Sequence, residues 1–397
     1  MSAAEWCDST SVVWVDNPDR IGWLAGVAGV AALGAVAAGG VARNVTRRRT
    51  VDRVDPHDGV DFAAIYDEAP VDLTVGPTAS STVTADDGVS LAARTVTLGD
   101  GDESTTPEFT VVFVHGFSLR MASWHFQRFA LARLWAGRNI RMVFFDHRGH
   151  GASDPAPDDT ATITQLADDT AAVLRALAPS GPVVLVSHSM GGMAVMALAR
   201  RHPALFSPAG QVAGVALIAT ASRGITETGL GEGLRNPVVD VFRLSVRRAP
   251  ALVQAGRGIT RRALEPVLVA ASFGSDFFSP TTARAVESMI QGTSLDTLVN
   301  FLHALEMHDE SLALPILAQV PTVVVGATAD RLTPFENSVR MFSELGPDSR
   351  LVKVDGAGHM VQMEQPDIVT DAIADLVSRA RAARPQPRRR WWQRGSR

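Results

Sequence analysis

Apolar and polar positions change rhythm several times along the 397 residues. Apolar and polar residues alternate through Thr82–Ala85 and Val89–Thr97, on either side of Asp86-Asp87-Gly88. Alternation around a turn signal predicts a hairpin. Phe109–Val114 is an unbroken apolar run, as in a strand covered on both faces. Arg141–Phe145, Val183–Val186, Val212–Ala219, Thr322–Val325 and Leu351–Val354 read likewise. Helical patterns fill Ser123–Trp135, Ile163–Ala178, Met190–Arg201 and Ile368–Arg381. Strands alternating with helices over short links predict an α/β domain: a mostly parallel, doubly wound sheet with helices on both faces. The alternation stops between Ala221 and Leu317, where the pattern is mostly helical with interspersed glycines and prolines. Residues 221–315 are therefore expected to be a helical cap inserted into a core of residues 81–220 and 316–380.

A different pattern lies upstream. Residues 21–42 contain no charge, and a membrane-spanning helix needs about 20 such positions. Fourteen of these 22 residues are Ala or Gly, and Gly22 and Gly26 form a GxxxG pair suited to close helix packing in lipid. A secretory signal would carry a basic segment before the apolar run; here residues 1–20 carry a net charge of -3. A buried soluble helix would tolerate fewer glycines, each costing about 1 kcal/mol against alanine. A single membrane anchor fits best, followed by a basic juxtamembrane linker over residues 43–80. Residues 43–53 carry +4, which by the positive-inside rule puts the rest of the chain in the cytoplasm; an exported enzyme is the alternative.

Charge sharpens this picture. The formal net charge is -5, but residues 379–397 alone hold eight arginines and no acid. The body over residues 54–378 therefore holds -14. Basic ends on an acidic body do not fit nucleic-acid binding, where positive charge belongs on the folded face. They suit a domain held near an anionic membrane, with residues 381–397 as a disordered basic tail that also carries Trp391 and Trp392. Cys7 is the only cysteine, which excludes an internal disulfide and cysteine-rich metal sites. No HExxH, Walker A or strand-linked GxGxxG spacing occurs, so no metal or other cofactor is expected.

The chemistry is expected at strand ends. Val183-Val184-Leu185-Val186 runs into Ser187-His188-Ser189-Met190-Gly191-Gly192 and then a helix. A serine between strand and helix, with small residues two positions away on each side, is a nucleophile elbow. The turn leaves no room for larger side chains at Ser187 and Gly191. It lifts the Ser189 hydroxyl clear of the sheet and aims the positive helix end at the reacting centre.

Together with four further segments in order, this chain resembles the α/β-hydrolase superfamily over about residues 80–380. His115-Gly116-Phe117 resembles its oxyanion loop, and Asp146-His147-Arg148-Gly149-His150-Gly151-Ala152-Ser153 its DxRGxGxS segment. Gly326–Pro334 resembles the loop carrying the acid, and Gly356-Ala357-Gly358-His359-Met360, followed by Glu364 and Pro366, the histidine loop. The resemblance implies a triad of Ser189, Asp330 and His359, in the superfamily's chain order. It also implies an oxyanion hole from the backbone N–H groups of Phe117 and Met190. His303 and His308 are the rivals of His359, and Asp309 is the rival of Asp330.

The reaction narrows from there. Epoxide hydrolases and haloalkane dehalogenases of this fold use an aspartate where this chain has Ser189, and the insertion has no tyrosine to open an epoxide. His115-Gly116-Phe117-Ser118 also lacks the proline found there in epoxide hydrolases and cofactor-free haloperoxidases. The expectation is therefore a serine esterase or lipase, or a thioesterase. A carbon–carbon bond hydrolase, an acyltransferase of the same triad type and a catalytically silent binding protein of this fold stay open. Phe273, Phe277, Phe278, Met289, Phe301 and Met307 are either ordinary cap core or the lining of an acyl pocket for a lipophilic ester.

Overall fold

Six-residue apolar runs become strands wherever helices cover both sheet faces. The computed structural model describes residues 54–66, 78–99, 106–223, 268–269 and 271–384. Its strands are β1 (Thr78–Thr84), β2 (Ser90–Thr97), β3 (Phe109–Val114), β4 (Ile140–Phe145), β5 (Val183–His188), β6 (Val212–Ile218), β7 (Thr322–Ala327) and β8 (Ser349–Val354). Every residue of β3, β5 and β7 is buried. Along β3 the side chains part by period two. Val112 and Val114 join Val143 and Leu185 on one face, while Val111 and Phe113 join Phe144 and Val186 on the other. Each such side chain contributes about 1.5–3 kcal/mol by leaving water.

The sheet order is β1-β2-β4-β3-β5-β6-β7-β8. Strand β2 runs antiparallel to β1 and β4, and the remaining pairs are parallel. Going from β3 to β4 and then to β5, the chain passes to opposite sides of β3. The loops after β3 and β5 therefore diverge and leave a crevice at the strand carboxyl ends, where ligands of open α/β sheets bind.

The longer helices among the described residues are α1 (His125–Leu134), α2 (Ile163–Leu177), α3 (Met190–Arg201), α4 (Pro280–Gly292), α5 (Leu295–Glu306), α6 (Phe335–Glu344) and α7 (Pro366–Ala383). Side-chain oxygens start three of them: Thr162, Ser279 and Ser294 each accept the N–H three residues on. Helices α4 and α5 fall within the segment expected to form the cap; residues 224–267 and 270 of that segment lie outside the described residues.

Two expected boundaries need correction. Residues 43–80 were expected as linker, yet residues 54–66 pack on the fold. Phe62 and Ile65 are buried, Arg128 Nη1 donates to the Ala64 carbonyl at 2.8 Å, and Thr281 N donates to Asp55 at 2.8 Å. A short Phe-Ala-Ala-Ile-Tyr cluster among charges is enough to anchor it. The tail expected from residue 381 begins later, because α7 continues to Ala383 and Arg381 pairs with Glu108 at 2.9 Å. The apolar run at residues 21–42 and residues 385–397 lie outside the described residues. Among the described residues, no helix is long and apolar enough to cross a membrane.

Candidate active site

The turn after β5 dictates the position of Ser189. Its backbone is held at φ 51°, ψ -121°, a strained conformation for a residue with a side chain. Neighbouring bonds impose that strain. Ser189 N donates to Ile218 O at 3.0 Å, Thr220 Oγ1 donates to Ser189 O at 2.7 Å, and Gly192 N donates to the same carbonyl at 2.8 Å. A Cβ on Gly191 would lie 2.3 Å from the Val114 carbonyl oxygen, so only glycine lets α3 start this close to β3. Ser187 answers to the same crowding, and its hydroxyl donates to Ala216 O at 2.7 Å.

Two other loops meet this serine. His359 Nε2 lies 2.9 Å from Ser189 Oγ, and His359 Nδ1 lies 2.9 Å from Asp330 Oδ2. An Asx-type turn fixes Asp330: its Oδ1 accepts from Leu332 N at 2.8 Å and from Thr333 N at 2.9 Å. Thr333 Oγ1 donates to Oδ2 at 2.8 Å, leaving the carboxylate one orientation. The structure thus brings Ser189, His359 and Asp330 together in one hydrogen-bonded row. Their rivals go elsewhere. His303 is exposed beside Glu306, His308 is buried and donates to Ala221 O, and Asp309 accepts from Ser311.

Two buried histidines hold the loop after β3. His115 Nδ1 donates to Gly116 O at 2.8 Å, while His115 Nε2 accepts from His147 N at 2.9 Å. His150 Nδ1 donates to Arg148 O at 3.0 Å, and its Nε2 accepts from Ser118 N at 3.1 Å. Each of these two rings accepts at one nitrogen and donates at the other, which requires the neutral form. Burial acts in the same direction, lowering the pKa of His115 well below the ordinary histidine range and that of His150 to about 4. Ser118, at φ 56°, is the second strained residue facing the site. Among the described residues, the N–H groups of Phe117 and Met190 have no acceptor. The Met190 N–H belongs to the first turn of α3, where helical N–H groups lack internal partners.

Sequence reasoning missed two supports of the histidine loop. His188 Nε2 donates to the His359 carbonyl at 2.9 Å. Glu364, buried below the loop, accepts from Gly358 N at 2.9 Å and from Gly274 N at 3.0 Å. Burial raises the pKa of Glu364 to about 7, against the opposing pull of those two N–H groups. The Glu364 position was visible in the sequence, but only the fold shows what it grips.

A small cavity opens over Ser189 Oγ, and its lining corrects the expected pocket. Its apolar walls include Met193, Leu268, Val286, Ile290, Leu305 and Met360. None of Phe273, Phe277, Phe278, Met289 or Phe301 contributes. Met289 and Phe301 are buried in the core, Phe273 stacks on Phe277 at 5.0 Å, and Phe277 and Phe278 line a separate outer groove. Met307 is 74% exposed. Large side chains have the most area to remove from water, so the packed interior took Met289 and Phe301. Among the described residues, no group of side chains forms a metal site.

Comparison with known proteins places this geometry. The alpha/beta hydrolase family matches residues 111–372. A malate-bound thermophilic esterase from Thermogutta terrifontis is 26% identical, with a TM-score of 0.58 over 76% of this chain and 99% of that one. The chain is also 28% identical over 285 residues to the dihydrolipoyllysine-residue acetyltransferase component of an acetoin cleaving system from Pseudomonas putida. That match takes in 69% of this chain and 64% of the relative. A non-heme chloroperoxidase from Streptomyces lividans is 24% identical over 303 residues, 75% of this chain and 99% of that protein.

Proposed function

Because the chain belongs to the alpha/beta hydrolase family, we propose that it hydrolyses a carboxylic ester through an acyl-enzyme on Ser189. The reading is carried by the unbroken relay from Asp330 through His359 to Ser189, with 2.9 Å at each step. A serine hydroxyl becomes a competent nucleophile when a base takes its proton. His359 Nε2 takes it as Oγ bonds to the carbonyl carbon, and Asp330 holds Nδ1–H and stabilises the imidazolium. The N–H groups of Phe117 and Met190 receive the developing oxyanion, each such donor contributing about 2.7–4 kcal/mol. Collapse breaks the bond to the alcohol, which leaves with the proton from Nε2. A water then gives a proton to Nε2 as its oxygen bonds to the acyl carbon. The second collapse releases the acid and returns the proton to Ser189 Oγ.

The similar esterase supports hydrolysis of oxygen esters. A thioester passes through the same acyl-enzyme, and an acyltransferase differs only in replacing the water. The test is labelling with a fluorophosphonate and turnover of p-nitrophenyl esters by the wild type and by Ser189→Ala. Labelling at Ser189, with turnover reduced about 10⁴-fold or more in the variant, is the expected result. Absence of labelling together with undiminished turnover in Ser189→Ala refutes the serine mechanism. Asp330→Asn should lose on the order of 10⁴-fold by presenting the wrong imidazole tautomer.

The proposed setting is the inner face of a bacterial membrane, supported by the sequence alone. The uncharged run at residues 21–42 would anchor the chain, with the +4 flank at residues 43–53 on the cytoplasmic side. Fractionation of the full chain against one beginning at Val54 tests this, with the full chain expected among membranes.

A further inference from the structure

The cavity over Ser189 limits what the acyl group is. It has a volume of about 50 Å³. A site for one water occupies about 10–15 Å³ on this scale, so the space takes only a few water-sized groups. The acyl group is the part of an ester that stays bonded to Ser189 Oγ inside this space until water releases it. Its walls are fixed by packed elements: Met193 on α3, Val286 and Ile290 on α4, and Leu305 on α5, all buried.

The lining chemistry is equally restrictive. Among the described residues no Lys, Arg, Asp or Glu reaches the cavity; its polar members are Ser118, Ser189, Ser272, Thr333 and His359. Ser272 Oγ already donates to Leu268 O at 2.6 Å, and Thr333 Oγ1 donates to Asp330. Against these described walls a charged acyl tail would lose its hydration without gaining a partner of opposite charge.

Resting on the serine-esterase reading, we infer that this site selects short, uncharged acyl groups of about two to four carbons, rather than long lipid chains or half-esters of dicarboxylic acids. The selection lies in the acyl part; the alcohol departs in the first step. We take Ile290 as the length-determining side chain, since it lines the cavity from α4, a separate helix from the α3 that follows Ser189.

The experiment measures kcat/KM for p-nitrophenyl acetate, butanoate, octanoate, laurate and the hydrogen succinate half-ester, alongside fluorophosphonate labelling of Ser189. The expected profile peaks at acetate or butanoate. It falls at least 100-fold by octanoate, because one methylene that does not fit costs about 10-fold or more. The hydrogen succinate should be at least 100-fold poorer than the butanoate. Ile290→Ala should move the optimum towards longer chains, and Ile290→Phe should confine turnover to acetate. A wild-type optimum at octanoate or laurate, or an equal rate on the half-ester, overturns the inference even if neither variant folds. Labelled Ser189 in that case leaves the hydrolase reading intact. Unlabelled Ser189 with no ester cleaved overturns both.

Discussion

Glu364 is a carboxyl group whose proton affinity the fold has changed. Its pKa is about 7 in the folded protein against an ordinary value of 4.5, mainly because burial opposes its charge. The folded state therefore binds this proton more tightly than the unfolded chain does. Its contribution to stability is fully present below pH 4.5 and is lost as pH rises towards 7. The expected loss is roughly 3 kcal/mol. Urea midpoints measured from pH 4.5 to 8 should show it, and Glu364→Gln should flatten that part of the profile. His188 acts on the same loop without titrating. Burial holds its pKa well below the ordinary range, and Nε2–H secures the His359 carbonyl. His188→Leu should lower kcat about fivefold, the worth of one ordinary hydrogen bond of about 1 kcal/mol, with little change in KM. His188→Gln, which keeps a donor on a side chain of similar reach, should recover most of that loss.

At the scale of elements, Arg148 clamps the β1–β2 turn to α2. Its guanidinium, inaccessible to solvent, bonds Asp169 at 2.6 Å through both Nε and Nη2, and bonds Asp87 at 2.6 and 3.0 Å. Those bonds keep the Asp87 carboxyl below its usual range. Arg148→Met should cost about 3–5 kcal/mol in chemical denaturation, because it strands the buried Asp169. Gly191→Ala should be at least as damaging to activity as to stability, since its methyl group meets the Val114 carbonyl and pushes α3 and Ser189 from β3. Circular dichroism melting with parallel ester turnover checks both variants. Much of this was legible in the sequence because its causes are local. Phe109–Val114 could only be a two-sided strand, and the small residues around Ser189 could only be a tight turn. Helix α3 matches its expected bounds, Met190–Arg201. The acyl cavity was not legible. Met193, Val286, Ile290 and Leu305 come from three helices and have the same character as core residues. The conspicuous aromatics drew the expectation to Phe301, which the interior had claimed, and to Phe273, which stacks on Phe277 instead. Thr333 sat inside a recognised motif, but its grip on Asp330 depends on the turn geometry.

For the whole molecule, the segment over residues 54–66 joins parts distant in sequence. Asp55 and His57 reach Thr281 and Thr282 at the start of α4, at 2.8 and 2.7 Å, while Phe62 and Ile65 pack towards α1. A chain beginning at Thr78 should be less stable than one beginning at Val54, by up to about 3–6 kcal/mol for the two buried side chains. Comparing their thermal and urea midpoints decides this. A tighter junction lies across the site. Met360 N bonds the Ser272 carbonyl at 2.9 Å, Glu364 ties Gly274 to Gly358, and Gly358 has no room for a Cβ beside Phe273 and Gly274. Any motion that swings residues 272–274 outward must drag on the peptide carrying His359. At this corner the wall of the substrate space and the mounting of the base are one piece, so whatever displaces the first misaligns the second.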